Sequence, residues 1–205
     1  MVNNLYVIAA DIHGNLERLR EFTKQVAKIA PARVFILGDM IQLGMTFEDN
    51  RCIDSIKASG FEAVKGNHEK MALRHTDLRK RVYPENVQFL EGLRSQAVYD
   101  SYMFAHTIPP NKDIRIKDLE TAGEAFDYLS AYPKIRACFV GHYHQPACFY
   151  HDSKEKKYCE DTREKFCLRE DRVYIINPGS LGLGREGNFI SFDVDKKTIE
   201  RRKIA

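Results

Sequence analysis

The first 65 residues alternate between short apolar runs and longer stretches in which apolar residues recur every three or four positions. The apolar runs are typical of strands buried on both faces, and the periodic stretches predict amphipathic helices. We expect one helix between Gly14 and Pro31 and another near residues 49–59, which Gly60 ends. Strands are predicted at residues 5–10, 34–37 and 61–65. Strands that alternate with helices favour an α/β fold with parallel strand pairing.

The second half of the chain predicts more strands and shorter connections. Strands are expected at residues 102–105, 137–140, 173–176, 189–193 and 198–202, with one helix near 119–131. Segment 152–171 is rich in charged residues and has no strong period, so we interpret it as an exposed hairpin or loop inserted between two strands. The length of 205 residues predicts a single domain over 1–205, with this insertion.

Charge and cysteine content narrow the class of protein. The 32 basic and 29 acidic residues nearly cancel, so we expect neither stable nucleic-acid binding nor membrane binding. The first residues lack the pattern of a secretion signal, and no apolar stretch has the length of a membrane span. The five cysteines include no Cys-x-x-Cys pair, which is typical of reduced thiols in a cytoplasmic protein, and we therefore predict a cytoplasmic location.

Polar residues follow five of the predicted strands, at the point where each strand ends. Ligands bind beyond the carboxyl ends of strands in open α/β sheets, so these side chains are expected at one edge. They are Asp11, His13, Asp39, Asn67, His106, His142 and His144. A lone Asp after a strand is usually a turn residue, but five such segments together are hard to obtain by chance. Hard oxygens with imidazoles suit Mn, Fe, Zn, Co or Ni.

The spacing within these segments has a physical meaning. Asp11 and His13 are separated by one residue, as are His142 and His144. Alternate side chains of an extended backbone point the same way, so we expect each pair to reach one cation. Asn15 begins the first predicted helix, where free N–H groups favour an anion, and is therefore a candidate substrate contact.

Six segments between Asp11 and about Gly187 form a recognisable series. They are Asp11-Ile12-His13-Gly14-Asn15, Gly38-Asp39, Gly66-Asn67-His68-Glu69, His106, Gly141-His142-Tyr143-His144 and Asn177-Pro178-Gly179-Ser180-Leu181-Gly182. The series resembles the motifs of the calcineurin-like metallophosphoesterase superfamily, and the last segment resembles a turn of its small single-domain bacterial and archaeal members. The resemblance implies a four-layer α/β sandwich, in which two mixed β-sheets pack together and helices lie outside.

The resemblance also implies a site for two divalent metal ions, with manganese as the first expectation and Fe, Zn, Ni or Co as alternatives. Asp11, His13 and His144 would bind the first ion, Asn67, His106 and His142 the second, and Asp39 would bridge both. His68 would be the catalytic residue that faces the substrate and either donates a proton to the leaving group or stabilises its charge. The implied activity is hydrolysis of a phosphate ester by attack of a metal-bridging hydroxide.

The second motif departs from that of the eukaryotic protein phosphatases in this superfamily, which read Gly-Asp-x-x-Asp-Arg-Gly. Gln42 stands in place of the second Asp and Leu43 in place of the Arg. Without that Arg, a dianionic phosphomonoester loses a bidentate partner, so we expect a phosphodiesterase acting on a small molecule or nucleotide. Arg185 could replace the lost substrate contact, or could be a plain surface charge.

Two other hypotheses remain for the function, and the oligomeric state stays open. One is a phosphomonoesterase that acts on a protein or nucleotide. The other is a binding scaffold that keeps the fold without the chemistry. Scaffolds of this kind lose ligand or catalytic histidines, whereas here every ligand position and His68 are filled.

Overall fold

The protein is described by a computed structural model that covers residues 4–43, 46–109, 112 and 114–205. Within these residues, two six-stranded sheets form the centre of the molecule. The strands are β1 (Leu5–Ala9), β2 (Arg33–Ile36), β3 (Glu62–Ala63), β4 (Gln96–Tyr99), β5 (Tyr102–Ala105), β6 (Ala137–Phe139), β7 (Pro146–Asp152), β8 (Lys157–Glu160), β9 (Lys165–Cys167), β10 (Arg172–Pro178), β11 (Gly187–Asp193) and β12 (Thr198–Ile204). The helices are α1 (Leu16–Ile29), α2 (Phe47–Ser59), α3 (Asn67–Arg74), α4 (Thr76–Arg79), α5 (Pro84–Gly92) and α6 (Leu119–Leu129).

Both sheets are mixed, as the resemblance implies. The first has the order β3-β2-β1-β11-β12-β9, in which β1, β2 and β3 are parallel and β11 runs antiparallel to β1. The second has the order β4-β5-β6-β10-β7-β8, in which β5, β6 and β10 are parallel. In each sheet the parallel strands therefore present their carboxyl ends along one edge.

The layers follow from which face of each strand is apolar. In β1, Val7 packs on the helical side with residues of α1 and α2, whereas Tyr6 and Ile8 pack on the second sheet. Between the sheets, the ring of Phe104 stacks on Phe35 with centroids 3.9 Å apart. Helix α6 covers the outer face of the second sheet. The order helix, sheet, sheet, helix confirms the predicted four-layer sandwich, and burial on both faces explains the unbroken apolar run at residues 5–10.

The first two helices begin and end where local sequence chemistry predicts. Asn15 caps α1 by accepting a hydrogen bond from the backbone N–H of Arg18, and Thr46 caps α2 with Asp49 in a capping box. Gly60 ends α2 in the left-handed conformation, as expected. The structure adds elements that the pattern did not predict, chiefly α3, α4 and α5 and the strands β4 and β7.

The charged segment 152–171 differs from its interpretation as an exposed insertion. Its first part does form a hairpin, because β8 pairs antiparallel with β7. Its second part crosses to the first sheet, where β9 pairs with β12. Phe166 and Leu168 are buried between the sheets, so the expectation of exposure is wrong for this part of the segment. That residues 1–205 form one domain stays a prediction.

Among the described residues, none of the helices combines the length and the apolar character that crossing a bilayer requires.

Candidate metal centre

The candidate centre lies where the carboxyl ends of parallel strands from both sheets meet. Asp11 follows β1 and Asp39 follows β2, and their loops are joined because the backbone N–H of His13 donates to the carbonyl of Asp39 at 3.0 Å. The second sheet approaches from the other side, since the N–H of His142 donates to the carboxylate of Asp11 at 3.1 Å. The edges of the two sheets therefore form one site.

The first group of potential ligands consists of Asp11, His13, Asp39 and His144, whose ligand atoms all lie within 4.8 Å of one another. The Nε2 atoms of His13 and His144 are 3.2 Å apart, and Nε2 of His144 is 3.6 Å from Oδ1 of Asp11. Both carboxylates are buried.

The second group consists of Asp39, His106 and His142. Nε2 of His106 lies 3.3 Å from Oδ2 of Asp39 and 2.8 Å from Oδ1 of Asn67. The seven residues predicted as ligands are thus brought together, and Asp39 belongs to both groups. Their assignment as metal ligands stays a prediction.

The donor atoms fit divalent cations. Oδ2 of Asp39 is buried, and none of its contacts with the described residues has hydrogen-bond geometry. A buried anionic oxygen is costly without a donor or a cation. The two imidazole nitrogens at 3.2 Å would also be poorly matched if both offered lone pairs to each other, whereas a cation accepts both. The residues present therefore fit a metal site.

Charge and burial shift the pKa values of these groups in opposite directions. Burial raises the pKa of Asp11 to about 7 and lowers the pKa of His13 to about 4. Burial alone would lower the pKa of His106, but the adjacent Asp39 carboxylate raises it to about 9. Burial likewise opposes ionisation of Asp39, yet the neighbouring His106 holds its pKa below the ordinary range. A buried cluster of this kind favours a bound cation, which would replace the protons.

The backbone at the ligand positions is left-handed and not extended as the spacing argument assumed. The φ angles are +56° at Asp11, +49° at His13, +50° at Asp39, +70° at His142 and +66° at His144. Residues other than glycine rarely adopt this conformation, because Cβ crowds the backbone. The expectation of extended Asp-x-His and His-x-His pairs is therefore wrong, and the side chains converge because the chain turns sharply off each strand.

Backbone carbonyls orient two of the histidines. Nδ1 of His106 lies 2.7 Å from the carbonyl of Leu37, and Nδ1 of His68 lies 2.9 Å from the carbonyl of Ile41. In each ring Nδ1–H can donate to that carbonyl, which directs Nε2 toward the centre.

His68 borders the centre in a position suited to contact a substrate. Its backbone N–H donates to Oδ1 of Asp39 at 2.9 Å, and its Nε2 lies 3.8 Å from Oδ2 of Asp39. Its ring packs edge-on against His13 with centroids 4.7 Å apart, and 14% of its side chain is exposed. The carbonyl of Ile41 is thus an acceptor that can orient the His68 ring.

Glu69 has a structural role that the sequence pattern did not reveal. Its buried carboxylate accepts hydrogen bonds from the backbone N–H groups of Asp39 at 2.9 Å, Met40 at 2.8 Å and Gly66 at 2.7 Å. Burial raises its pKa to about 7. It joins the loop after β2 to the start of α3, so that Asp39 and Asn67 are held side by side. The only sequence signal was its place in the Gly-Asn-His-Glu segment.

The Asn-Pro-Gly-Ser turn is hydrogen-bonded to the two loops that carry Asp11 and His142. Asn177 donates from Nδ2 to the carbonyl of Gly141 at 2.7 Å, and Ser180 donates from Oγ to the carbonyl of Asp11 at 2.7 Å. Gly182 packs so closely that a Cβ there would lie 1.8 Å from the carbonyl oxygen of Ile12. The turn therefore fixes the backbone that carries Asp11 and His142.

The structure places the two candidate substrate contacts differently from the ligands. Both polar atoms of the Asn15 side chain are engaged within the protein. Its Oδ1 accepts a hydrogen bond from the backbone N–H of Arg18, and its Nδ2 donates to the carbonyl of Gly182 at 2.8 Å. Arg185 is exposed, and its carbonyl accepts a hydrogen bond from the guanidinium of Arg18 at 2.6 Å. Their role in substrate binding stays a prediction.

A two-sheet sandwich that gathers buried carboxylates and imidazoles at the ends of its strands is suited to metal-assisted hydrolysis. The family model described as the calcineurin-like phosphoesterase superfamily domain matches residues 5–197. The chain therefore belongs to the calcineurin-like phosphoesterase superfamily, which confirms the resemblance inferred from its motifs.

Several known proteins are similar over nearly the whole chain. An uncharacterized protein of Methanocaldococcus jannaschii is 27% identical over an alignment of 206 residues. The alignment covers 91% of this chain and 80% of that protein. The crystal structure of a metallophosphoesterase from Sphaerobacter thermophilus matches with a TM-score of 0.78 at 20% identity, covering 98% of this chain and 88% of that one. An archaeal phosphodiesterase matches with a TM-score of 0.55 at 16% identity, covering 98% of both chains. The structural matches show a shared fold.

Proposed function

We propose that this protein is a phosphodiesterase that hydrolyses a small-molecule or nucleotide phosphodiester and holds two divalent cations, with Mn²⁺ as the first candidate. The observation that carries the proposal is the position of Asp39, which belongs to both groups of ligand atoms. A carboxylate between two such groups suits a pair of ions that share one ligand.

The chain's own residues divide between the two ions. Asp11, His13 and His144 would hold one, and Asn67, His106 and His142 would hold the other, with Asp39 between them. When bound, such ions activate a water as nucleophile and neutralise charge on the phosphoryl oxygens. Glu69 and the Asn177 turn keep the ligand loops in place, so the donors need little rearrangement.

His68 would supply a proton to the leaving oxygen. With Nδ1–H directed at the Ile41 carbonyl, a protonated ring presents a second N–H, at Nε2, to the open side of the site. That Nε2 lies 3.8 Å from Oδ2 of Asp39, on the side of the candidate metal centre. General acid catalysis of this kind contributes about 10²–10⁴-fold to the rate.

The preference for a diester rests on the loop after β2. Leu43 is exposed and occupies the position at which the protein phosphatases of the superfamily carry an arginine. A monoester dianion loses a bidentate partner there, whereas a diester monoanion has less charge to neutralise.

The test compares bis(4-nitrophenyl) phosphate with 4-nitrophenyl phosphate, using protein stripped of metal and reloaded with Mn²⁺. We expect a higher kcat/KM for the diester and two ions per chain by metal analysis. The variant Leu43→Arg should shift the ratio of kcat/KM toward the monoester, and Leu119→Arg, at an exposed position on α6, should not. A wild-type preference for the monoester would contradict the proposal, and inactivity on both esters with metal bound would favour the scaffold.

A further inference from the structure

A buried carboxylate lies next to the loop that orients His68. Asp49 belongs to the first turn of α2 and is fully buried. Its Oδ1 accepts a hydrogen bond from the backbone N–H of Gln42 at 2.6 Å, and its Oδ2 accepts one from the N–H of Thr46 at 2.5 Å. The bond from Thr46 belongs to the cap of α2, whereas the bond from Gln42 reaches beyond the cap into the loop after β2.

The Gln42 N–H and the Ile41 carbonyl belong to one planar peptide group. Nδ1 of His68 lies 2.9 Å from that carbonyl, and a carbonyl oxygen can only accept, so Nδ1 carries the hydrogen. The peptide therefore accepts a hydrogen bond from the imidazole at its oxygen and donates one to the Asp49 carboxylate at its nitrogen. Hydrogen bonds that share a group polarise one another, so the carboxylate makes the Ile41 oxygen a stronger acceptor.

Contacts on both sides fix the position of this peptide. The N–H of Ile41, on the preceding peptide, donates to Oε1 of Glu69 at 3.4 Å. On the other side, a Cβ at Gly14 would overlap Oδ1 of Asp49, so the carboxylate occupies space that the glycine leaves free. Rotation of the peptide would break both of its own hydrogen bonds at once.

We infer that Asp49 is a positioning residue for the reaction, which acts on His68 through the peptide that follows Ile41. The inference rests on the proposed function, in which His68 supplies a proton to the leaving oxygen. The carboxylate holds the carbonyl where it accepts from Nδ1, and Nε2 of the ring then lies on the side of the candidate metal centre. Without the carboxylate the peptide and the ring can turn, and proton transfer to a basic leaving group is affected most.

Two diesters with different leaving groups test this role in Mn²⁺-loaded protein. Thymidine 5′-(4-nitrophenyl phosphate) releases a stable anion that needs little help from an acid, whereas thymidine 5′-(phenyl phosphate) releases the more basic phenoxide. The leaving-group ratio is kcat/KM for the first diester divided by kcat/KM for the second. Asp49→Asn, which keeps the shape of the side chain and removes its charge, should raise this ratio about fivefold.

His68→Gln gives the reference for that change, because it removes the proton donor itself. It should raise the leaving-group ratio by at least about tenfold. The double variant Asp49→Asn/His68→Gln should show no larger ratio than His68→Gln alone, since both changes act through one imidazole. A purely structural role of Asp49 would lower both kcat/KM values together and leave their ratio unchanged.

Thr46→Ala is the matched control, because it removes a hydroxyl from the same helix cap and leaves the bond between the Gln42 N–H and Asp49 in place. Its leaving-group ratio should stay at the wild-type value. If Asp49→Asn does not fold, Asp49→Ser, which has one side-chain oxygen in place of two, should raise the ratio in the same direction.

The possible failures are distinguishable. A wild-type ratio in the Asp49 variants, or an equal rise in Thr46→Ala, overturns the inference and leaves the phosphodiesterase proposal intact. An unchanged ratio in His68→Gln would also overturn it, since His68 would then have no effect on the leaving group. Hydrolysis of neither diester by the wild-type protein would refute the phosphodiesterase proposal itself, and the inference with it.

Discussion

At the scale of the residue, Asp39 is the candidate ligand that belongs to both groups of ligand atoms. One carboxylate oxygen accepts the backbone N–H of His68, and the other is buried beside His106. We expect Asp39→Asn, which keeps the shape and removes the charge, to lower kcat by at least about 100-fold and to reduce the bound metal below two ions. Steady-state kinetics and metal analysis of the same preparation check this result.

Asp54→Asn is the control for that change, because Asp54 lies exposed on α2 and touches neither ligand group. Full metal content in Asp39→Asn would show that a shared carboxylate is not needed to hold the ions.

His68 offers a contrasting prediction, since it borders the ligand groups without belonging to either. His68→Gln should lower kcat by about 10²–10⁴-fold while the metal content stays unchanged. His75→Gln, an exposed histidine just after α3, should leave both quantities at the wild-type value. If His68→Gln loses metal together with activity, His68 is a ligand and its assignment as proton donor is wrong.

The chemical identity of the site residues was readable from the sequence, but their supporting contacts were not. The residue types, aspartate and histidine, and their positions after strand ends predict a metal site. Glu69 differs because its carboxylate accepts hydrogen bonds from four backbone N–H groups, and three of these lie about thirty residues away in the chain. Partners of that kind are fixed only by the folded backbone.

At the scale of the element, the turn after β10 sets how closely the ligand loops approach. Gly182→Ala would place a methyl group against the carbonyl of Ile12, so we expect a loss of about 3 kcal/mol in the free energy of unfolding. The movement of the Ile12 backbone that relieves this clash should also displace Asp11 and weaken metal binding. Urea denaturation followed by metal analysis measures both effects.

Gly92→Ala provides the matched control, because a Cβ at Gly92 meets no atom within 4 Å. Its free energy of unfolding should stay within about 0.5 kcal/mol of the wild type. Equal stability of the two variants would show that the turn can move away from Ile12 without cost.

Elements with a strong apolar pattern were predicted well from the sequence, whereas short or polar elements were not predicted. β5 was predicted at its observed bounds because Tyr102–Ala105 is apolar throughout and fully buried. β9 was missed because only Phe166 faces the core among charged and exposed neighbours. A strand of three residues with one buried side chain gives no detectable alternation, and its pairing with β12 depends on a distant part of the chain.

At the scale of the whole molecule, the candidate ligands come from both sheets. Asp11, His13 and Asp39 belong to loops of the first sheet, and His106 and His142 follow strands of the second. Cations that bind only the folded protein stabilise it, so chelation of the metal should lower the thermal midpoint by about 10 °C. Differential scanning calorimetry with and without EDTA measures this shift.

Asp39→Asn should show a much smaller shift on chelation, since it retains less metal. If the metal-loaded and the chelated wild-type protein have the same thermal midpoint, strongly bound ions are not present at the candidate centre between the two sheets.

The left-handed backbone at five candidate ligands has an evolutionary consequence. Glycine is the residue that adopts such φ angles most easily, and a non-glycine residue there costs about 1 kcal/mol or more. At His144, for example, replacement by glycine would relieve the conformational strain and remove an imidazole from the first group of ligands. Mutational drift under pressure for stability alone would therefore erode the active site, and only continued selection for activity would preserve it.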